Sequence, residues 1–228
     1  MLQRIKAALE REKRKHPGKP GIFLLVKRTL QVIRNKALYI RMNITKDGTF
    51  QSEDDIWMCS LFPKKILDVI IKELKPKSIL DVGCGTGVSL SYFIQQGINA
   101  EGVENSSVAI EKSSVKEKIK KHNLNYELNI GKLFDLVWCF EVIEHIHPEY
   151  EANFLKTLTN HSSTIILSAA RPGQGGHGHF NEQEPDYWII KFHELGYSLS
   201  EFTQTLKSTN DMHSENLLCF KKDITGLN

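Results

Sequence analysis

The sequence of 228 residues lacks paired cysteines, a long apolar run and an internal repeat. Its four cysteines are widely spaced and include no Cys-x-x-Cys pair, which indicates reduced thiols rather than a disulfide scaffold. The longest apolar run near the start, residues 21–26, is too short for a signal-peptide core or a membrane span. We therefore expect a cytoplasmic protein without a transmembrane segment.

Charge is distributed unevenly along the chain. Residues 1–46 hold 13 Lys and Arg against two Glu, a net charge of +11, so the remainder carries 17 Lys and Arg against 25 Asp and Glu, a net charge of −8. Within this basic segment, apolar residues recur at helical spacing from Val26 to Ile40 with basic residues between them. Such a helix either packs on the domain with its basic side facing water, or contacts an anionic membrane surface or RNA.

The rest of the composition, 40% hydrophobic and 25% charged over the whole chain, suits one globular domain. We expect a basic helical extension over residues 1–60 and the main folded domain over 61–228. Within that domain helical and strand patterns alternate, which predicts an α/β fold with a doubly wound, mainly parallel sheet. The predicted helices are 63–74, 88–96, 106–121, 149–158 and 185–195, and the predicted strands are 78–83, 100–104, 125–130, 134–140, 163–168, one near Tyr197 and 217–221.

A glycine-rich loop joins the first predicted strand to the next helix. The run Ser-Ile-Leu-Asp-Val-Gly-Cys-Gly-Thr-Gly, residues 78–87, ends in three alternate glycines that let the backbone approach a ligand closely. A carboxylate, Glu104, ends the second strand 17 residues beyond Gly87, as expected for an acid that binds ribose hydroxyls. Position 88 is Val, so the Gly-x-Gly-x-x-Gly pattern of nicotinamide and flavin enzymes is absent.

This loop resembles the first motif of class I S-adenosylmethionine-dependent methyltransferases, an acidic residue followed by Gly-x-Gly-x-Gly. The resemblance implies a Rossmann-like domain whose seven-stranded sheet has helices on both faces and ends in an antiparallel hairpin. It implies that Asp81, Gly83 and Gly85 line the methionine part of the cofactor and that Glu104 binds its ribose. Asn129 and Ile130, at the end of the predicted third strand, are expected at the adenine. The predicted cofactor-binding residues are Asp81, Gly83, Cys84, Gly85, Glu104, Asn105, Asn129 and Ile130.

A second motif, Glu-x-x-Glu-His, follows the fourth predicted strand at residues 141–145. A helical turn there would place Glu141, Glu144 and His145 on one face. The segment is similar to one in ubiquinone-pathway O-methyltransferases and in small-RNA 3′-terminal 2′-O-methyltransferases. In the RNA enzymes these residues and a distal histidine hold a divalent metal; the distal candidates here are His177 and His179. We assign no metal ligand and leave open whether Glu141, Glu144, His145 and His179 bind one.

The catalytic residues predicted are His145, as a general base for a hydroxyl, and Glu141, as its helper; a structural role is the alternative. The glycine-rich residues 170–183 form either a lid or a surface connection. No Asn-Pro-Pro-Tyr sequence follows the fourth strand, so the resemblance favours oxygen over a base nitrogen as acceptor. We expect methyl transfer to a hydroxyl of a small molecule or saccharide. Two alternatives stay open: a metal-dependent RNA ribose 2′-O-methyltransferase and a noncatalytic cofactor-binding scaffold.

Overall fold

The structure is a computed structural model that describes residues 59–223, so the predicted helical extension over residues 1–60 lies almost wholly outside the described residues. The division at residue 60 stays a prediction. The strands are β1 Ser78–Val82, β2 Asn99–Glu104, β3 Ile119–Lys121, β4 Leu136–Cys139, β5 Thr164–Ser168, β6 Tyr197–Leu199 and β7 Leu217–Lys222. The α-helices are α1 Lys64–Leu74, α2 Val88–Gln95, α3 Ser107–Lys112, α4 Glu151–Thr159, α5 Pro185–Glu194 and α6 Phe202–Lys207. Short 3-10 turns are Lys116–Lys118, Ile143–His145, Pro148–Tyr150 and Ser214–Asn216.

The seven strands form one sheet in the order β3-β2-β1-β4-β5-β7-β6. Strands β1 to β5 pair in parallel, whereas β7 lies antiparallel between β5 and β6. The predicted doubly wound, mainly parallel sheet with an antiparallel closing pair is confirmed. The strand order reverses between β1 and β4, and in such sheets ligands bind beyond the carboxyl ends of the strands at that point.

Both faces of the sheet are covered by helices because neighbouring residues of each buried strand point to opposite sides. In β1, Ile79 packs with α1 and α2, whereas Leu80 packs with α4 and α5. One core contains Ile66, Ile70, Ile79, Leu90, Phe93, Trp138 and Leu206; the other contains Leu80, Val82, Phe154, Leu158, Trp188 and Phe192. These two cores hold the carboxyl ends of β1, β2 and β4 in fixed relation to one another.

The third strand was predicted wrongly. The predicted helix 106–121 ends at Lys112, where the extended backbone of Ser113 terminates it, and residues 119–121 pair with β2 as β3. Residues 125–130 form no strand. Two of their backbone donors bond to side chains in or just after α4 instead: Leu128 N donates to Thr157 Oγ1 at 2.9 Å and Ile130 N to His161 Nε2 at 2.9 Å. Helix α6 was not predicted.

The first turn of α1 is capped from far along the chain. Pro63, at the N-cap position, makes no side-chain cap hydrogen bond. Asp211 Oδ2 accepts a hydrogen bond from Lys65 N at 2.7 Å and a longer one from Ile66 N at 3.4 Å. A carboxylate at a helix N-terminus accepts hydrogen bonds from free N–H groups, and its negative charge interacts favourably with the positive end of the helix dipole. Among residues 59–223, no helix is long and apolar enough to cross a bilayer.

Candidate active site

A cavity of about 320 Å³ opens at the carboxyl ends of β1, β2 and β4. That volume lies at the lower end of the range for small-molecule sites. Most of its wall comes from the glycine-rich loop after β1, the turn after β2, the Glu-x-x-Glu-His segment and the loop after β5, and the segments around Cys59, Leu124 and His213 complete it. The lining residues include Asp81, Gly83, Cys84, Gly85, Glu104, Asn105, Glu141, Glu144, His145, Gly175, Gly176, His177, His179 and His213. The structure thus brings most of the predicted site residues to one place.

Two glycines of the loop after β1 are required by their neighbours. Gly85 has a φ of +55°, and a Cβ there would overlap the carbonyl oxygen of Cys59. Gly83 has a φ of +76°, and a Cβ there would overlap the side chain of Val142. Because Val142 belongs to the Glu-x-x-Glu-His segment, the absence of a side chain at Gly83 lets the two motifs pack against each other.

The amides of the glycine loop are used inside the protein. Gly83 N and Cys84 N both donate to Val103 O, Thr86 N donates to Cys59 O and Gly87 N donates to Cys84 O. The remaining amide, Gly85 N, donates to Glu104 Oε2 at 2.9 Å. All five amides from residue 83 to 87 thus bond to protein atoms. A ligand can therefore approach the backbone of this loop closely, but the five amides are already bonded within the protein.

Two carboxylates, Asp81 and Glu104, face the cavity from adjacent strands. Glu104 Oε1 accepts hydrogen bonds of 2.7 Å from Asn105 N and Ser106 N, which fixes its orientation. Burial raises the pKa of Glu104, against the effect of these amides. Asp81 is almost fully buried and its Oδ2 has no hydrogen-bond partner in the described part of the chain. Burial, and secondarily the charge of Glu104, raise the pKa of Asp81 to about 8.

Asn129 and Ile130 do not line the cavity. Asn129 Oδ1 accepts a hydrogen bond from Gly131 N at 2.8 Å, and Ile130 N is bonded to His161. Their expected place at the adenine rested on a strand over residues 125–130 that the structure does not form, and it stays a prediction. Because β3 lies earlier in the chain, the residues that reach the cavity from the segment after it are Asn123, Leu124 and Asn125. Placing β3 correctly from the sequence would have pointed to them.

Glu141 stands at the end of β4 in a left-handed backbone conformation, with a φ of +55°. Its amide donates to Ser168 Oγ at 2.6 Å, and its carboxylate lies 3.5 Å from both His213 Nδ1 and Asn216 Nδ2. His213 also has a positive φ, +53°, and lines the cavity. Sequence reasoning missed His213, because it lies 72 residues beyond Glu141 in a segment without a motif.

Glu144, His145 and His179 form a compact cluster on the cavity wall. One ligating atom from each lies within 4.8 Å of the others. The 3-10 turn Ile143–His145 presents the first two, and the loop after β5 brings His179, so the structure selects His179 over His177 as the distal histidine. The predicted grouping of Glu144 and His145 is observed, whereas Glu141 precedes the turn and meets His213 and Asn216.

Burial shifts the pKa values of Glu144 and His145 in this cluster. Glu144 is fully buried, and neither of its carboxylate oxygens has a hydrogen-bond partner in the described part of the chain. Burial, and then the charge of Glu141, raise the pKa of Glu144 well above its ordinary value. Burial, followed by the neighbouring His179, lowers the pKa of His145 to about 3. His145 Nδ1 lies 3.2 Å from the carbonyl oxygen of Gly178, so in the neutral ring Nδ1 carries the proton.

Comparison with known proteins gives one family and several structural likenesses. A family model described as a methyltransferase domain matches residues 58–201. The ubiquinone biosynthesis O-methyltransferase of Rickettsia akari (strain Hartford) is 32% identical over 108 residues, which are 44% of this chain and 43% of the relative. The chain thus spans less than half the length of that relative.

Two solved structures share the fold. Magnesium protoporphyrin IX methyltransferase from Synechocystis PCC 6803, with bound S-adenosylhomocysteine, matches 84% of this chain and 94% of its own at 17% identity and a TM-score of 0.56. The small RNA methyltransferase HEN1 matches 74% of this chain and 27% of its own at 16% identity and a TM-score of 0.52. At such identities the likeness concerns the arrangement of strands and helices.

Proposed function

The chain belongs to the methyltransferase domain family, its cofactor is S-adenosylmethionine, and we propose that it methylates a hydroxyl oxygen of a small molecule or saccharide with the help of a divalent metal. Oxygen as the acceptor is supported by the curated relative, whose name states O-methyl transfer. The part played by a metal is supported by the cluster beside the cofactor cavity.

The single observation that carries the proposal is the group of Glu144, His145 and His179. A buried carboxyl group with no hydrogen-bond partner either stays protonated, as the raised pKa of Glu144 indicates for the metal-free protein, or needs a positive charge to compensate its ionised form. Two imidazoles and a carboxylate are a donor set that suits a first-row divalent ion such as Mn²⁺, Co²⁺ or Zn²⁺. The residues present therefore fit a metal.

This arrangement changes the role proposed for His145. A divalent ion, when bound, supplies Lewis acidity that lowers the pKa of a coordinated hydroxyl. Glu144, His145 and His179 would hold it, and an imidazole whose pKa is about 3 suits a ligand better than a general base. Glu141 and His213 line the same cavity and stand as the groups that receive the proton of the acceptor. Asp81 and Glu104 orient the cofactor.

The test is calorimetry on the full chain with S-adenosylhomocysteine and, separately, with Mn²⁺ after chelation. We expect both to bind, and His145→Ala to lose the Mn²⁺ heat while retaining cofactor binding. His193→Ala is the matched control because His193 is an exposed histidine on α5. Unaltered Mn²⁺ binding by His145→Ala would refute the metal assignment. Turnover is then assayed with 3,4-dihydroxybenzoate, whose adjacent hydroxyls chelate metals; cofactor binding without turnover on any acceptor would favour a scaffold.

Metal-dependent methylation of an RNA ribose is the second candidate function. It is favoured by the same cluster together with the net charge of +11 over residues 1–46, which suits a phosphate backbone. We expect methylation of an RNA oligonucleotide with a 3′-terminal 2′-hydroxyl and none of its 2′-deoxy counterpart. If a variant lacking residues 1–46 binds RNA as tightly at low salt as the full chain, the basic segment has no part in it.

The same basic segment is also our candidate for peripheral contact of a cytoplasmic enzyme with an anionic membrane surface. Electrostatic attachment of this kind is weakened by salt and by removal of the basic residues. Sedimentation with phosphatidylserine vesicles, with phosphatidylcholine vesicles as the control, separates this contact from RNA binding. Equal sedimentation with both vesicle types would contradict it.

A further inference from the structure

Glu182 contacts His179 of the cluster formed by Glu144, His145 and His179. It lies in the segment that joins the glycine-rich loop after β5 to helix α5. Its side chain is 8% exposed and that of its partner His179 is 10% exposed. Glu182 Oε1 accepts hydrogen bonds from His179 Nδ1 at 3.0 Å and from Gly175 N at 2.7 Å. Glu182 Oε2 accepts one from Gly173 N at 2.8 Å. A single carboxylate thus holds a ring of the cluster and two amides of the loop.

The bond to Glu182 decides which nitrogen of His179 can bind a metal. An ionised carboxylate only accepts hydrogen bonds, so Nδ1 of His179 must carry the proton. In the neutral ring Nε2 is then the nitrogen with the lone pair. Metal-binding histidines commonly have their other ring nitrogen bonded to a carboxylate in this way. Glu182 therefore presets His179 for ligation through Nε2.

The same carboxylate fixes the wall of the cavity. Gly175 and Gly176 line the cavity, and a Cβ at Gly176 would overlap the imidazole of His179. The loop therefore packs directly on the ring that Glu182 orients. Gly173 and Gly175 both have positive φ values, +91° and +70°, so the backbone reaches Glu182 through two left-handed turns that glycine accommodates.

We infer that Glu182 is a positioning residue that links metal binding to the order of the loop over residues 173–176. It sets the ligating nitrogen of His179, and its carboxylate oxygens also hold the loop that lines the cavity. His179, if it held a metal through Nε2, would have its ring fixed, and Glu182 would pass that order to the amides of Gly173 and Gly175. This inference rests on the proposed metal.

The experiment compares the full chain with Glu182→Gln and with the control Glu184→Gln, which changes an exposed Glu at the start of α5. Mn²⁺ titration is expected to show an affinity 10- to 100-fold weaker in Glu182→Gln, the usual effect of losing such a partner, and an unchanged affinity in Glu184→Gln. Hydrogen exchange is the second readout. Mn²⁺ should slow exchange at the amides of residues 173–176 in the wild-type chain and leave it fast in Glu182→Gln.

The outcomes separate this inference from the proposed function. Absence of Mn²⁺ binding by the wild-type chain would refute the metal itself. Wild-type binding that Glu182→Gln matches, or loop exchange that metal leaves unchanged, would refute the role of Glu182 alone. Should Glu182→Gln not fold, ¹⁵N NMR of the wild-type imidazoles decides: we expect the proton of His179 on Nδ1, and a proton on Nε2 would overturn the inference.

Discussion

Nδ1 of His213 lies 3.5 Å from Oε2 of Glu141, and both residues hold left-handed backbone conformations that are uncommon outside glycine. Four non-glycine residues between 59 and 223 have a positive φ, and these two meet on the wall of the cavity. Each such residue costs on the order of 1 kcal/mol, a strain that persists where surrounding structure holds it and that gathers at functional sites. Two of the four strained residues of the described chain thus lie together at the cavity.

Replacing Glu141 with glycine should stabilise the metal-free protein and abolish methyl transfer. The change removes the left-handed strain and the repulsion that, after burial, raises the pKa of Glu144, so we expect a free energy of unfolding higher by about 1 kcal/mol in urea denaturation. Lys75→Gly, at the left-handed end of α1, is the control for strain alone and should leave activity unchanged. A destabilised Glu141→Gly would mean that the carboxylate contributes net stability.

Adding a methyl group at Gly85 should disturb the segment at Cys59. The new Cβ would overlap the carbonyl oxygen of Cys59, which accepts the Thr86 amide, so we expect Gly85→Ala to lose about 2–3 kcal/mol of stability and most of its S-adenosylhomocysteine affinity. Gly97→Ala is matched in backbone, with a φ of +79°, but meets nothing within 4 Å. It should cost only about 1 kcal/mol, from strain. Equal losses in the two variants would show that the Cys59 contact is unimportant.

Cofactor binding should strengthen as pH rises toward 8. The pKa of Asp81 is raised to about 8, so below that pH the carboxyl is largely protonated in the free protein. If the cationic amino group of the cofactor binds beside ionised Asp81, binding must release this proton. Affinity for S-adenosylhomocysteine should then rise about tenfold per pH unit from pH 6 to 8 and level off above. Calorimetry in two buffers of different ionisation heat measures the proton released.

The contribution of Asp81 to folding stability should fall as pH rises, whereas cofactor affinity should rise. An acid whose folded pKa exceeds its unfolded value stabilises the folded state fully below the unfolded pKa, 3.8 here, and loses that contribution as pH rises toward 8. Asp81→Asn should therefore be more stable than the wild-type chain at pH 8 while binding the cofactor weakly and without the pH dependence. Thermal unfolding at pH 5 and pH 8 measures this. A variant that is less stable at both pH values would contradict it.

Buried Glu151 should anchor the segment between the cavity loop and α5. Its carboxylate accepts hydrogen bonds from Asn181 Nδ2 at 2.9 Å and from the Tyr187 hydroxyl at 2.8 Å, while burial, then Glu151, raises the pKa of Tyr187 to about 12. A double-mutant cycle of Glu151→Gln and Tyr187→Phe should give a coupling of about 1–3 kcal/mol in urea denaturation. Tyr150→Phe is the control tyrosine. A coupling near zero would show that Tyr187 bonds as well to solvent.

What the sequence predicted well is local. The strand β1, its glycine loop, α2 and the carboxylate at the tip of β2 lie within 27 consecutive residues, where spacing alone determines which groups meet. The prediction of a strand over residues 125–130 was wrong because the apolar residues Leu124 and Leu128 pack into the core without strand pairing. The amide of Leu128 finds a side-chain acceptor, Thr157, on α4, a tertiary arrangement that propensity does not report.

The distant partners of the site were beyond pattern analysis for the same reason. His213 meets Glu141 only because β7 inserts between β5 and β6, which brings the segment before β7 to the end of β4. His179 was identified as one of two candidates, and the choice between them depended on how the loop folds around Glu182. A sequence shows which residues are able to bind a metal, whereas their selection follows from the path of the loop.

The cap that Asp211 places on α1 sets an order of events during synthesis. The first described helix receives its acceptor from a residue 146 positions later than Lys65, and β5 gains its antiparallel neighbour only when residues 217–222 are available. In a nascent chain β1 to β5 and the glycine loop precede Asp211, so α1 lacks this acceptor until residue 211 has left the exit tunnel. Chaperone contact before that moment would fall on the open edge of β5, the last to be covered.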